Sequence, residues 1–111
     1  MYTHEMDRSR MRAEELLTLS SAGRRLADLV AVAGTPVRYE VLRHLLRVSE
    51  ETMTEVLEEV VRLRLVRRAD DPFTYVPHDD AVGEAIGSGM DGERAERLRQ
   101  QIESASRRVF E

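Results

Sequence analysis

Three groups of residues in this sequence carry side chains that could bind another molecule or assist a reaction. Five glutamates fall between positions 50 and 59, four arginines between positions 62 and 68, and a His-Asp-Asp run begins at position 78. The glutamates are Glu50, Glu51, Glu55, Glu58 and Glu59, the arginines are Arg62, Arg64, Arg67 and Arg68, and the run is His78-Asp79-Asp80. Each group has a structural interpretation as well as a functional one.

The run His78-Asp79-Asp80 is the cluster that most resembles a site. A metal site needs three or four ligands in good geometry, and His4 and His44 have no helpful spacing to this run. A helix N-cap followed by acidic residues in the first turn explains all three residues. No serine or threonine has an activating His–acid arrangement, and no Gly-rich phosphate loop with its Lys occurs. The sequence therefore predicts no catalytic residue, no metal, no cofactor and no enzyme.

The glutamates belong to a predicted helix that begins after Ser49. Its apolar stripe, taken as facing the core, is Met53, Val56, Leu57, Val60 and Val61. The glutamates then remain outside, where they repel a polyanion, because phosphate contacts need Lys or Arg. The arginines that follow could still hold a nucleic-acid backbone. A solvated acidic face, a protein-docking face and a base-reading face are the three interpretations.

Further basic residues precede this helix, and they could form a patch on another side of the domain. They are Arg24, Arg25, Arg38, Arg43, His44 and Arg47. Such a run is usually a solvated face. The alternative is a surface that binds an acidic partner or the Glu-rich helix of a second copy.

The elements that must position these residues begin with two helices. Thr35-Pro36 supplies an N-cap and a first helical residue for a helix over Pro36–Leu46. Ser49 caps the next helix, which ends around Leu63–Leu65. Before them, residues 1–6 are predicted to be disordered and residues 7–34 to form N-terminal helices. The second of these is capped by Ser20 or Ser21 and ends at Gly34.

Two short β-type runs follow, Leu65–Arg68 and Phe73–Val76, and Asp70-Asp71-Pro72 marks the turn between them. A short helix capped by Asp79 or His78 comes next, with Val82, Ala85 and Ile86 inward. Helix, turn, helix, two-stranded ribbon and helix is the order of a winged helix-turn-helix. We therefore predict this fold for residues 35–86, with the second helix in the position that enters a DNA major groove.

A longer helix is predicted over Asp91–Val109, within a C-terminal segment at residues 90–110. Its apolar residues are Ala95, Leu98, Ile102, Ala105 and Val109, spaced as in about two heptads. A seam this short either packs on its own domain or supports self-association through Leu98, Ile102, Ala105 and Val109.

Length and composition bound these predictions. The chain has 111 residues, which suits one mainly α domain with a small β-ribbon. It has no Cys, 34% charged residues and a formal net charge of −4, whereas a DNA-binding domain usually carries a basic surplus. No apolar run approaches the roughly 20 residues of a membrane span. We expect a cytoplasmic protein with no membrane partner.

Several stretches between Leu16 and Ser104 carry a family resemblance. They are Leu16-Leu17-Thr18-Leu19-Ser20 with Leu26, Val32-Ala33-Gly34, Thr35-Pro36-Val37, Leu63-Arg64-Leu65-Val66-Arg67-Arg68, and Tyr75-Val76-Pro77-His78-Asp79 with Glu84-Ala85-Ile86. Together they resemble the winged-helix domain of STAND-class signal-transduction ATPases. That class includes the large ATP-binding LuxR-type regulators of bacteria and the NLR and apoptosome proteins of eukaryotes.

The resemblance implies a module that packs on an ATPase core and helps to hold an inactive state, rather than one that reads DNA. The His-Asp pair resembles the Met-His-Asp motif of NLR proteins, in which the His contacts the β-phosphate of bound ADP. That role would fall to His78, with Asp79 capping the helix, although Pro77 stands where the motif has Met and this chain has no ATPase core.

Two functional hypotheses follow. The first is a non-enzymatic winged-helix regulatory module, part of or related to a transcription-regulating signalling protein, that docks its acidic helix or its terminal helix on a protein partner. The alternative is a small DNA-binding transcription regulator that uses a basic wing and is a homodimer through the C-terminal helix.

Overall fold

The computed structural model describes residues 19–71 and 73–110. Predictions of disorder at residues 1–6 and of a helix before Leu19 lie outside the described residues. Within these ranges the elements are α1 (Ser21–Ala33), β1 (Val37–Arg38), α2 (Tyr39–Leu46), α3 (Glu50–Arg62), β2 (Val66–Arg68), β3 (Thr74–Pro77), α4 (Asp80–Ser88) and α5 (Gly92–Phe110). The predicted class, mainly helical with a small β element, is confirmed.

Local capping signals set four helix ends. The side chains of Ser20, Ser49 and Asp79 each accept a hydrogen bond from the backbone N–H three residues later, at 3.0, 3.2 and 2.8 Å respectively. These bonds satisfy backbone donors that have no partner inside the helix. Helix α1 ends at Gly34, whose φ of 72° lies in the left-handed region that glycine adopts without a Cβ clash. All four ends are as predicted.

The predicted helix over Pro36–Leu46 is wrong in its first turn. Val37–Arg38 form strand β1, and α2 begins at Tyr39, so Thr35 is not its N-cap. Strand β1 pairs antiparallel with β3, with Val37 opposite Tyr75. The sheet therefore has three strands in the order β1-β3-β2, rather than the predicted two. Pro36 is compatible with this arrangement because proline is tolerated just before an edge strand.

We refer to the hairpin of β2 and β3, described at residues 66–71 and 73–77, as the wing. Val66 lies opposite Pro77 and Arg68 opposite Tyr75, so both strands begin one residue later than predicted. At the tip, the Thr74 hydroxyl donates to the Asp71 carbonyl at 2.7 Å. The Tyr39 N–H donates to the Phe73 carbonyl at 2.7 Å, which fixes the wing against the start of α2.

The core surrounds α1, which contributes Leu26, Leu29 and Val30, all at most 2% exposed. Every other element adds to this core, with Val37, Val41, Leu42, Met53, Val60, Val66, Tyr75, Val82 and Ala105. In α4, Val82 is buried and Ile86 is half-buried, but Ala85 is exposed, so its predicted inward position is wrong. Val82 and Ile86 are four residues apart and lie in one row of this short helix, and Ala85 falls beside that row.

Candidate docking groove

The acidic helix α3 has a narrower buried stripe than its apolar pattern predicted. Met53, Val56 and Val60 are buried in a single row, at spacings of three and four residues. Leu57 is half-buried and Val61 is 44% exposed. These two residues occupy the next row of the helix and form an apolar edge of α3, in which Leu57 still packs against the core and Val61 is open to solvent.

A groove of about 1110 Å³ separates this edge of α3 from the start of α2 and from the wing. Residues of α3 form one wall, and residues of α2 and the wing form the other. The α3 wall consists of Glu50, Thr54, Leu57, Glu58, Val61 and Arg62, and the opposite wall consists of Tyr39, Glu40, Arg43, Arg67, Arg68, Phe73 and Tyr75. We refer to this concavity as the α3–wing groove.

Two large apolar side chains in the α3–wing groove remain in contact with solvent. Val61 is 44% exposed and Phe73 is 63% exposed, and no other large hydrophobic residue in the described part of the chain is as open. Phe73 has a φ of 64°, which is uncommon for a residue other than glycine. Fully burying a Val or Phe side chain is worth about 1.5–3 kcal/mol. A partner that covered both side chains would gain part of that free energy.

Charges of both signs surround these apolar side chains. Three carboxylates, from Glu40, Glu50 and Glu58, face four guanidinium groups, from Arg43, Arg62, Arg67 and Arg68. Arg43 and Glu50 form an ion pair of 3.3 Å at one end, while the other arginines lie toward the wing. A nearly balanced lining suits a protein segment of mixed charge better than the uniform phosphate charge of a duplex.

The five glutamates predicted as one docking face are distributed over three surroundings. Glu50 and Glu58 line the groove, and Glu51 and Glu55 are exposed on the outer edge of α3. Glu59 is half-buried beside α1. Its role is therefore distinct from that of the other four.

The Glu59 carboxylate is engaged by the beginning of α1. Its Oε1 atom accepts hydrogen bonds from the Ser20 N–H at 3.0 Å and from the Ser20 hydroxyl at 2.8 Å. Gly23 makes this approach possible, since a Cβ at that position would collide with the same oxygen. Glu59 thus joins α3 to the first turn of α1, and the groove does not include it.

The four arginines predicted to contact nucleic acid separate in a similar way. Arg62, Arg67 and Arg68 line the groove, whereas Arg64 lies outside it. Arg64 occupies the α3–β2 connection with a φ of 59° and is exposed. Their contact with a nucleic acid stays a prediction.

His78 lies between β3 and α4. The residue is half-buried, and its backbone N–H donates to the Leu65 carbonyl at 3.0 Å. Asp79 caps α4, as the structural interpretation of this run predicted. In the ranges that the structure describes, no three His, Cys, Asp or Glu side chains come together as metal ligands. A nucleotide-sensing role of His78 stays a prediction.

The apolar seam of α5 faces its own domain. Ala105 belongs to the core, and Leu98 and Ile102 pack against it. Val109 is half-buried beside Tyr39 and Val48. Self-association through this seam stays a prediction, but in the monomer these side chains already have apolar neighbours.

Sequence reasoning missed the apolar part of the groove. The apolar pattern predicts Leu57 and Val61 as core residues, and the sequence predicts Phe73 only as part of a strand and Tyr39 only as part of a helix. The sequence did contain a signal for this groove. The apolar stripe has five residues within nine positions and therefore covers two rows of the helix, whereas the buried face is one row wide. The second row, with Leu57 and Val61, lines the α3–wing groove.

The described helices give no candidate for a bilayer crossing, since none combines sufficient length with sufficient apolar character. Comparison with protein-family models, with curated proteins and with solved structures found no match to this chain.

Proposed function

We propose that this chain is a non-enzymatic winged-helix interaction module, part of or related to a transcription-regulating signalling protein of the cytoplasm. It docks an amphipathic segment of a protein partner in the α3–wing groove. The observation that carries this proposal is the exposure of Val61 and Phe73 between charges of both signs. The resemblance to STAND-class winged helices agrees with it, since those domains contact protein rather than DNA.

The lining of the groove specifies the chemistry of the partner segment. Apolar residues at its centre would cover Leu57, Val61 and Phe73. Acidic residues at one end would face the arginines of the wing, and a basic residue would face Glu58. Apolar contacts would supply most of the affinity, and the charges would set the orientation of the segment.

A selection from a phage-displayed peptide library against the immobilised protein tests the proposal. Enriched peptides should carry apolar residues at helical or strand spacing, with acidic residues on one side. Their affinity should fall by at least about tenfold for Val61→Asp, because a carboxylate replaces a central apolar contact. Ala81→Asp is the matched control, since Ala81 is exposed on α4 outside the groove. No enrichment, or equal binding to both variants, would contradict the proposal.

The alternative function is that of a small DNA-binding transcription regulator. One observation favours it: Arg67 and Arg68 are exposed on β2, an edge strand, across the groove from Arg62. Fluorescence anisotropy with duplex DNA at low and near-physiological salt is the test. Tight binding with a steep salt dependence, lost when Arg67 and Arg68 become Ala, would support this function. Absence of binding even at low salt would contradict it.

A further inference from the structure

A second concavity, of about 680 Å³, lies between α1, the end of α2 and α5. Five basic residues line it: Arg25, His44, Arg47, Arg97 and Arg108. Gln100, Gln101 and Ser104 add neutral hydrogen-bonding groups, and none of the described residues that line it carries a carboxylate. We refer to this concavity as the basic cleft.

The basic cleft concentrates positive charge that no carboxylate among the described residues pairs with. The described ranges contain four ion pairs, formed by Arg43, Arg94, Arg99 and Arg107, and none of these arginines lines the cleft. Arg25 donates to the Leu45 carbonyl at 3.1 Å, and no carboxylate in residues 19–71 and 73–110 pairs with it. In a chain of net charge −4, this is a local reversal of sign.

Only part of the basic patch expected from the sequence contributes to the cleft. Arg25, His44 and Arg47 belong to it, whereas Arg43 pairs with Glu50 at the α3–wing groove. Arg97 and Arg108 come from α5, which tertiary packing brings against the end of α2. The cleft is therefore a product of the fold and not of one stretch of sequence.

The outer edge of α3 carries the complementary charge. Glu51 and Glu55 are four residues apart, so they lie on the same side of the helix. Both are exposed, and neither has a hydrogen-bond or ion-pair partner among residues 19–71 and 73–110. Only Val48 and Ser49 separate Arg47 of the cleft from the start of α3 at Glu50.

We propose that the basic cleft binds the outer edge of α3 of a second copy of this chain, with Glu51 and Glu55 facing its arginines. Because Arg47 of the cleft precedes the start of α3 by only two intervening residues on each copy, the proposal places a two-fold axis near the α2–α3 connection, where both copies exchange the same contact. This is the reciprocal arrangement of an isologous dimer. Neither Glu51 nor Glu55 lines the α3–wing groove, so the proposal stands or fails independently of the proposed function.

The arrangement of charge favours a second copy over a nucleic acid. A nucleic-acid strand that left the cleft toward α3 would meet Glu50 and Glu51, which repel phosphate. A helix edge with two carboxylates instead presents a short anionic surface that ends within the cleft. Arginine also suits this contact, because its planar guanidinium group can bind a carboxylate with two parallel hydrogen bonds.

Paired charge reversals test the proposal in the full chain. The variant Arg97→Glu/Arg108→Glu places two carboxylates on the α5 side of the cleft and cancels its net positive charge, and Glu51→Arg/Glu55→Arg makes the helix edge basic. Each variant alone places like charges opposite one another at these four positions in both contacts, whereas a mixture of the two restores opposite charges there. Arg24→Glu and Glu84→Arg are the controls, since both residues are exposed and lie outside the cleft and the outer edge of α3. Circular dichroism verifies that every variant is folded.

Sedimentation velocity of each sample at about 0.05 M and about 0.5 M NaCl gives the readout, because ionic screening weakens such a contact between these salt concentrations. We expect the unmodified chain and both controls to dimerise at low salt, with a dissociation constant that rises by about tenfold at high salt. Each charge-reversed variant should be monomeric, and their equimolar mixture should dimerise. A monomeric unmodified chain at low salt, a dimer that survives Arg97→Glu/Arg108→Glu, or a mixture that stays monomeric would overturn the proposal. Binding of a labelled DNA duplex by a monomer, lost in the same cleft variant, would overturn it in favour of a phosphate ligand.

Discussion

Arginine side chains of α5 bond to α1, whereas the arginines of the α3–wing groove line a surface that is open to solvent. Arg94 pairs with Asp28 at 3.0 Å, and Arg99 donates to the Val32 carbonyl at 3.1 Å. The Asp28 side chain is only 11% exposed, so the carboxylate of this pair is largely buried, whereas the Arg94 side chain is 43% exposed. In the groove, Arg62 and Arg68 are exposed and have no carboxylate partner within the described ranges.

Apolar side chains differ between the two regions in the same way. Leu26 and Leu42 are fully buried around α1, while Val61 and Phe73 are open in the groove. Hydrophobic burial is the main favourable contribution to folding, so the stability of this domain resides around α1. The groove contributes little to the free energy of folding, so its residues can be suited to a partner while the fold is retained.

The largest expected effect is a loss of stability when a core side chain of α1 is shortened, with little loss when a side chain of the groove is shortened. Leu26→Ala should lower the free energy of unfolding by about 2–5 kcal/mol, because it leaves a cavity among fully buried neighbours. Val61→Ala should change it by less than about 0.5 kcal/mol, since the side chain is already exposed. Urea denaturation followed by circular dichroism measures both. Similar losses for the two variants would mean that the groove is part of the stabilising core.

A smaller effect should distinguish the two kinds of ion pair. Asp28→Asn should cost about 1–2 kcal/mol, because it removes a charge-assisted bond at a mostly buried carboxylate. Glu103→Gln removes the exposed pair with Arg107 on the surface of α5 and should cost about 0.3–0.5 kcal/mol. The same denaturation experiment applies, at low and high salt. Equal costs would remove the distinction between the α1–α5 contact and an ordinary surface pair.

The parts of the fold that the sequence predicted correctly depend on neighbours a few residues away. Ser20, Ser49 and Asp79 each cap a helix through a bond to the third residue that follows, and Gly34 ends α1 by its own conformation. Such signals are complete within one turn of the chain. Reading them requires no knowledge of what packs against the helix.

The errors arose where a distant partner decides the outcome. Val37–Arg38 is a strand because Tyr75 and Thr74 pair with it, so a local N-cap pattern at Thr35-Pro36 was misleading. The candidate site was predicted in part for the same reason. Glutamates and arginines on the surface of α3 and the wing could be anticipated, but the exposure of Val61 and Phe73 depends on how far the wing lies from α3.

The smallest expected effect is a difference in stability between two variants of α3, one at Glu59 and one at Glu55. Glu59 accepts two hydrogen bonds from Ser20, whereas Glu55 has no partner in the described part of the chain. Glu59→Ala should therefore lower the free energy of unfolding by about 0.5–1 kcal/mol more than Glu55→Ala does, because both variants gain the same helix propensity and only one loses a contact.

A double-mutant cycle with Ser20→Ala isolates that contact. The Ser20 hydroxyl both caps α1 and donates to Glu59, so the two substitutions should couple by about 0.5 kcal/mol or more. Additive losses would mean that the bond between them contributes no free energy, and Glu59 would then belong with the exposed carboxylates of α3. Coupling would mean that two adjacent residues of this helix have different roles. Glu58 would line the groove, and Glu59 would stabilise the fold through the capped end of α1.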